Sequence, residues 1–149
     1  MRKIDHVGVV APSWPVAEGL LAGTFGLLLD ESCADLPDGM EYEGDGSRIY
    51  FLKVGEGETL IEVLIPAGPD TGTGRFLAKR GPGLHHIAYA CDDVPAETER
   101  LRAQGLEPIA IGDMLNGVFF GPKDTMGILT ELVTLDPRAP KTGDHAGGG

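Results

Sequence analysis

The chain has 149 residues, 42% of them hydrophobic and 23% charged, which suits one folded domain and excludes fibrous, coiled-coil and wholly disordered classes. Its 12 basic and 23 acidic residues leave a net charge of -11, a balance that works against capture by nucleic acid or an anionic bilayer, because both need clustered Lys and Arg. No stretch approaches the roughly 20 apolar residues of a membrane helix, and Met1-Arg2-Lys3-Ile4-Asp5-His6 lacks the apolar run and cleavage site of a secretory leader. Cys33 and Cys91 form no Cys-x-x-Cys pair, so neither a disulfide framework nor a thiolate metal site is expected. A cytoplasmic protein without nucleic-acid or membrane partners is the expectation.

In chain order, Asp5 to Val10 reads as a short strand carrying His6, and Pro15 to Leu28 as a short helix and turn whose apolar stripe is weakened by Gly19, Gly23 and Gly26. Asp30 to Asp45 holds seven acidic residues and no Lys or Arg, and predicts a solvated loop across the mouth of a site. Ile49 to Val54 and Thr59 to Ile65 then form a hairpin about Gly55-Glu56-Gly57, the second strand carrying Glu62. A Gly- and Pro-rich connector, residues 69 to 83, includes a helical turn or two at Arg75 to Arg80.

The pattern then repeats. Leu84 to Ala90 is a strand carrying His86, and Asp93 to Gly105 is a helix with an early proline, an acidic first turn, late arginines and a stopping glycine. Val118 to Phe120 turns through Gly121-Pro122-Lys123-Asp124 into a strand, Ile128 to Thr134, that carries Glu131. Residues 136–149 read as a flexible tail outside a single domain of residues 1–135, and His145 within that tail is not a ligand candidate.

Two features give the repeat chemical content. Along a strand His6, Gly8 and Val10 share one face, as do His86, Ala88 and Ala90, so mostly small neighbours leave room beside each imidazole. Glu62 and Glu131 interrupt strands that otherwise read as buried, where an unpartnered carboxylate is costly. Two histidines and two carboxylates meeting at one cation would remove that cost. His85 is expected to point to the opposite face from His86 and so to stay out of the ligand set.

These pieces resemble the vicinal oxygen chelate (glyoxalase/bleomycin-resistance/dioxygenase) superfamily, and within it most closely the methylmalonyl-CoA epimerase family. The resemblance is carried by Lys3 to Val9, Thr59 to Pro66, Phe76-Leu77-Ala78-Lys79-Arg80-Gly81 running into Gly83 to Ala88, and Gly121 to Asp124 running into Gly127 to Leu132. It implies an α+β fold of paired βαβββ modules, about residues 3–68 and 83–134, whose curled mixed sheets enclose a metal site. It further implies His6, Glu62, His86 and Glu131 as ligands of a divalent ion, Co²⁺, Mn²⁺, Ni²⁺, Fe²⁺ or Zn²⁺, and a homodimer. The implied reaction is epimerisation or isomerisation of a methylmalonyl-CoA-like acyl thioester through a stabilised enolate, with Glu131 as ligand and base.

A second acid/base is missing where the family carries a glutamate, at Arg48-Ile49-Tyr50-Phe51; Glu43 is the expected catalytic substitute, with Asp45 and Tyr50 as further candidates. The segment Gly112 to Phe120 is short and apolar where related chains are Gly-rich and basic, so Met114, Leu115 and Phe119 either widen an acyl pocket or pack in core and rim. Lys79, Arg80 and Lys123 are candidate receivers of the coenzyme A phosphates. A glyoxalase-type lyase or isomerase, a non-haem iron dioxygenase and a metal-free small-molecule binding or resistance protein are the alternatives on the same fold.

Overall fold

The computed structural model describes residues 1–42, 44–109 and 117–135. The first half runs β1 (Lys3–Val10), α1 (Trp14–Glu18), β2 (Leu28–Leu29), β3 (Met40–Glu41), β4 (Arg48–Lys53) and β5 (Leu60–Ile65). The linking helix α2 (Gly72–Arg80) leads to β6 (Gly83–Cys91), α3 (Val94–Ala103), β7 (Pro108–Ile109), β8 (Gly117–Phe120) and β9 (Leu129–Thr134). The strands form one mixed sheet in the order β2-β4-β5-β1-β6-β9-β8-β7, with β3 on β4. That order is the same from either end, since β1 lies parallel to β5 as β6 lies parallel to β9, and the halves join where β1 runs antiparallel to β6.

Strand alternation assigns the faces. Tyr50, Leu52 and Val63 point outward beneath α1 and pack with Ala17 and Trp14; Phe120 and Leu132 point outward beneath α3 and pack with Val94 and Leu101. Inward, Val10, Ile49, Phe51, Leu60 and Leu64 form a cluster covered by Phe76 and Leu77 of α2. Each helix thus closes one patch of sheet, and the central strands β5, β1, β6 and β9 are left to carry the site.

Local sequence sets the helix boundaries. Asp93 caps α3, accepting from Ala96 N–H at 2.9 Å, and Arg100 and Arg102 sit in its last turn, where cations complement the helix dipole. α2 starts at Gly72, three residues before the expected turn, because the Thr71 hydroxyl accepts from Gly74 N–H at 3.0 Å and satisfies a free N–H of the first turn. The stretch from Pro15 differs more. Regular α-geometry ends at Glu18, and Gly19 to Thr24 continue as a wider π-type turn before Leu28 enters β2. Gly19 and Gly23 within that turn remove side-chain contacts that favour the tighter helix.

A candidate metal centre and its adjoining pocket

Two rows of paired residues each cross four strands, one over β4, β5, β1 and β6 and the other over β1, β6, β9 and β8. In one, Phe51 pairs with Glu62, Glu62 with Gly8, and Gly8 with His86. In the other, His6 pairs with Ala88, Ala88 with Glu131, and Glu131 with Phe119. Each row therefore holds one His, one Glu and one Phe, related by the internal repeat. The residue between His and Glu is Gly8 or Ala88, and side chains from both rows converge over these small positions.

The convergence is tight. Nε2 of His6 lies 2.9 Å from Glu62 Oε2, 3.0 Å from Nε2 of His86 and 3.2 Å from Glu131 Oε2. His86 Nε2 lies 3.3 Å from the same Glu131 oxygen. His6, His86 and Glu131 form a mutually close group able to hold a metal ion, and Glu62 joins it through His6. His6, Glu62 and His86 are buried, at 3%, 6% and 2% exposure, and Glu131 is half-buried, so their charges must be answered largely within the protein. The rings of Phe51 and Phe119 meet His6 and His86 edge-on at 5.7 and 5.8 Å and keep the site apolar around its donors.

The donor chemistry fits a divalent cation. Neighbouring ligands of an octahedral ion stand ~3.0 Å apart when metal-ligand bonds are about 2.1 Å, close to the four separations above. Nitrogen and oxygen donors without thiolate suit the harder first-row ions. Without a cation a proton takes the same place: burial opposes a charge on His6, but attraction to Glu62 and hydrogen bonds with Asp5, Glu131 and Glu62 outweigh it and push its pKa up to about 12. Glu131 is likewise held below its ordinary range, burial being overcome by hydrogen bonds from His6 and His86. Positive charge belongs at the centre of this cluster.

Two residues missed as functional parts of the site lie one position before each histidine. The β1–β6 pairing slips between Ile4 and His6, leaving Asp5 at a bulge, and slips again between Gly8 and Val9, leaving His85 at a bulge. His6 Nδ1–H donates to the buried Asp5 carboxylate at 2.8 Å, and Nδ1 of His85 lies 2.9 Å from Nδ1 of His86. His85 therefore does not point to the opposite face: alternation holds only in a regular strand, and the bulge turns its side chain beside its neighbour. Burial, followed by repulsion from His86, lowers its pKa to about 4 and keeps the ring neutral. An Asp-His and a His-His dipeptide in matching places were the available signal.

The other sequence candidates separate clearly. Tyr50 stacks on Trp14 at 3.8 Å and its hydroxyl donates to Pro37 C=O, on the outer face and away from the cluster. Asp45 accepts from Ser47 N–H at 3.0 Å and Thr73 N–H at 3.2 Å, and from both hydroxyls, so its carboxylate is committed to tying the loop before β4 to α2. Glu43, Met114 and Leu115 lie outside the described residues. Phe119 is a wall of the site rather than a rim residue.

Beside the centre is a pocket of about 570 Å³. Arg75, Lys79 and Arg80 of α2 line one side, Phe76 and Leu84 contribute apolar wall, and His85 stands between this pocket and the His/Glu cluster. Lys123, on the turn after β8, is not among the lining residues. Three cations on one short helix, in a chain of net charge -11, make a local site for an anion.

A fold of two βαβββ halves around paired His and Glu defines a class, and the family comparison agrees. Residues 5–119 match the model of the glyoxalase/bleomycin resistance protein/dioxygenase superfamily, and the chain belongs to that superfamily. It is 26% identical to the uncharacterized protein YqjC of Bacillus subtilis, over 97% of this chain and 99% of that one. It is 29% identical to the ethylmalonyl-CoA/methylmalonyl-CoA epimerase of Cereibacter sphaeroides, over 87% and 96%. A solved structure of a Streptomyces coelicolor methylmalonyl-CoA epimerase variant in complex with 2-nitronate-propionyl-CoA superposes with a TM-score of 0.78 at 29% identity, covering 91% of this chain and 96% of that one. Among the described residues no helix is long and apolar enough to cross a membrane.

Proposed function

We propose that this protein is a divalent-metal-dependent epimerase acting on a methylmalonyl-CoA-like acyl thioester. The observation that carries the proposal is the meeting of His6, His86, Glu62 and Glu131 within about hydrogen-bond distance, next to a pocket edged by Arg75, Lys79 and Arg80. The similarity to epimerases whose solved structures carry acyl-CoA analogues supports the substrate class.

In this reading His6, Glu62, His86 and Glu131 hold the ion. Its charge makes a proton next to a carbonyl easier to remove. Glu131, ionised and less enclosed than the other three, with a side chain 13% exposed, takes the proton from the α-carbon. Inversion needs a second proton carrier on the opposite face, and Glu43 is proposed for it from its place in the sequence. The arginines and lysine of α2 bind the nucleotide phosphates, and Phe51 and Phe119 exclude water from the reacting carbon.

The test is proton NMR of one methylmalonyl-CoA stereoisomer in D₂O with Co²⁺-loaded protein. Loss of the α-proton signal with conversion to the other stereoisomer is expected; a metal-loaded protein that leaves both unchanged rejects the reading. One observation favours a second reading. The mutually close trio His6, His86 and Glu131 is also the donor set of non-haem iron oxygenases. Glu62, 2.9 Å from His6, fills a position such enzymes leave open, and oxygen consumption by Fe²⁺-loaded protein decides between the two.

A further inference from the structure

The two bulge residues are not equivalent. Asp5 is fully buried and orients His6 through a carboxylate no ligand can reach. His85 is partly exposed and has two ring nitrogens. Nε2 of His86 faces the cluster, 3.0 Å from His6 Nε2 and 3.3 Å from Glu131. An imidazole whose Nε2 offers a lone pair to a cation carries its proton on Nδ1. The short Nδ1–Nδ1 contact of 2.9 Å then has one consistent direction, His86 Nδ1–H donating and His85 Nδ1 accepting.

That assignment fixes the other edge of His85. With Nδ1 acting as acceptor, the neutral ring carries its proton on Nε2. Among the described residues this Nε2 has no hydrogen-bond partner. The ring is braced against the edge of Phe76 at 4.9 Å and lines the pocket that Arg75, Lys79 and Arg80 make cationic. An open donor therefore stands on the wall between the phosphate-binding side of the pocket and the metal cluster.

We infer that His85 couples the two halves of the site: its Nδ1 orients the ligand His86, and its Nε2–H donates to an acceptor oxygen of the acyl thioester lodged in the pocket. The second role rests on the acyl-CoA reading above; the first does not. The repeat supplies the reason for a histidine here. A carboxylate in this place, as at Asp5, would orient the ligand equally well but would repel an anionic substrate and offer no donor.

Two variants separate the roles. In His85→Asn the amide oxygen reaches the place of Nδ1 and nothing reaches that of Nε2. In His85→Gln the amide nitrogen reaches the place of Nε2 and the Nδ1 acceptor is lost. Calorimetry measures Co²⁺ affinity of the ion-free proteins and malonyl-CoA affinity of the Co²⁺-saturated ones. H85N should keep Co²⁺ affinity within about threefold of the parent and weaken malonyl-CoA about tenfold, the worth of one hydrogen bond. H85Q should weaken Co²⁺ by about 10- to 100-fold and, once saturated, keep malonyl-CoA within about threefold.

Unchanged Co²⁺ affinity in H85Q overturns the orienting role, and unchanged malonyl-CoA affinity in H85N overturns the donor role. A parent protein that binds Co²⁺ but not malonyl-CoA rejects the acyl-CoA reading and the donor role with it, while the metal affinity of H85Q still decides the orienting role. If H85Q fails to fold by circular dichroism, the decision passes to His85→Ala, which should show both losses.

Discussion

Gly8 of β1 pairs directly with His86 of β6, and a methyl group on Gly8 would stand 2.8 Å from the imidazole Nε2 and closer still to Cε1 and Nδ1. The only side chain small enough for this position is a hydrogen atom. The backbone of one half thus makes room for the proposed ligand of the other, which is how two repeats can share one centre. A similar clearance exists at Gly117, where an added Cβ would lie 2.5 Å from Glu131 Oε1.

Gly8→Ala should therefore act on the proposed metal centre more than on the fold. The imidazole is hemmed in by Phe119 and His85, so it must leave the cluster to admit the methyl group. The expected outcome is a folded protein by circular dichroism whose Co²⁺ affinity falls by about 100-fold or more, beyond the range set by losing an orienting partner alone. Gly117→Ala meets a more flexible carboxylate and should cost less.

Asp5→Asn tests the partner of His6. The amide still fills the buried space, but its charge is gone, and with it the preference for a proton on Nδ1. Metal affinity should fall about 10- to 100-fold. Equal affinities in parent and variant would show that the 2.8 Å contact serves folding only.

The ion-free protein should lose stability as pH rises. His6 is raised from its ordinary 6.5 to about 12, so its contribution is full below pH 6.5 and drains away as pH climbs toward 12. Glu131 is lowered from its ordinary 4.5, so its contribution is present above that value and is lost in acid. With a chelator present, Tm should be highest between these two values and fall on the alkaline side. With Co²⁺ in place of the proton, the alkaline fall should flatten. A chelated protein whose Tm holds constant above pH 6.5 would contradict the charge assignment.

The cations of α2 are expected to act on binding rather than on chemistry. Replacing Arg75, Lys79 and Arg80 together by Gln should raise KM for an acyl-CoA substrate by about tenfold or more with kcat little changed, and the difference should shrink at high salt. Lys123→Gln, outside the pocket lining, should leave KM as it is.

Much of this site was legible in the sequence because the repeat is chemical. A His among small residues and a Glu inside an apolar strand, each occurring twice, brought out His6, Glu62, His86 and Glu131, which the fold brings together. Departures from regular strand geometry were hidden. Alternation predicted that His85 faces away, and nothing in Leu84-His85-His86 reports the bulge, because that slip arises from pairing with β1. The bulge at Asp5 was hidden for the same reason, although the Asp-His and His-His dipeptides in matching places mark both residues. Tyr50 looked available as an acid because it is polar and well placed along the chain, yet it alternates with Phe51 onto the outer face, where α1 folds back over β4 and Trp14 stacks on it. Gly72 and Gly74 obscured the start of α2, which the Thr71 cap determines.

Cobalt titration followed by calorimetry and visible absorption tests the central claim most directly. One Co²⁺ per chain is expected, with the weak d–d bands of a six-coordinate nitrogen and oxygen environment, and both should disappear in folded His86→Ala and Glu131→Ala variants. A parent chain that takes up no stoichiometric Co²⁺, or variants that bind it as tightly as the parent, would contradict the account.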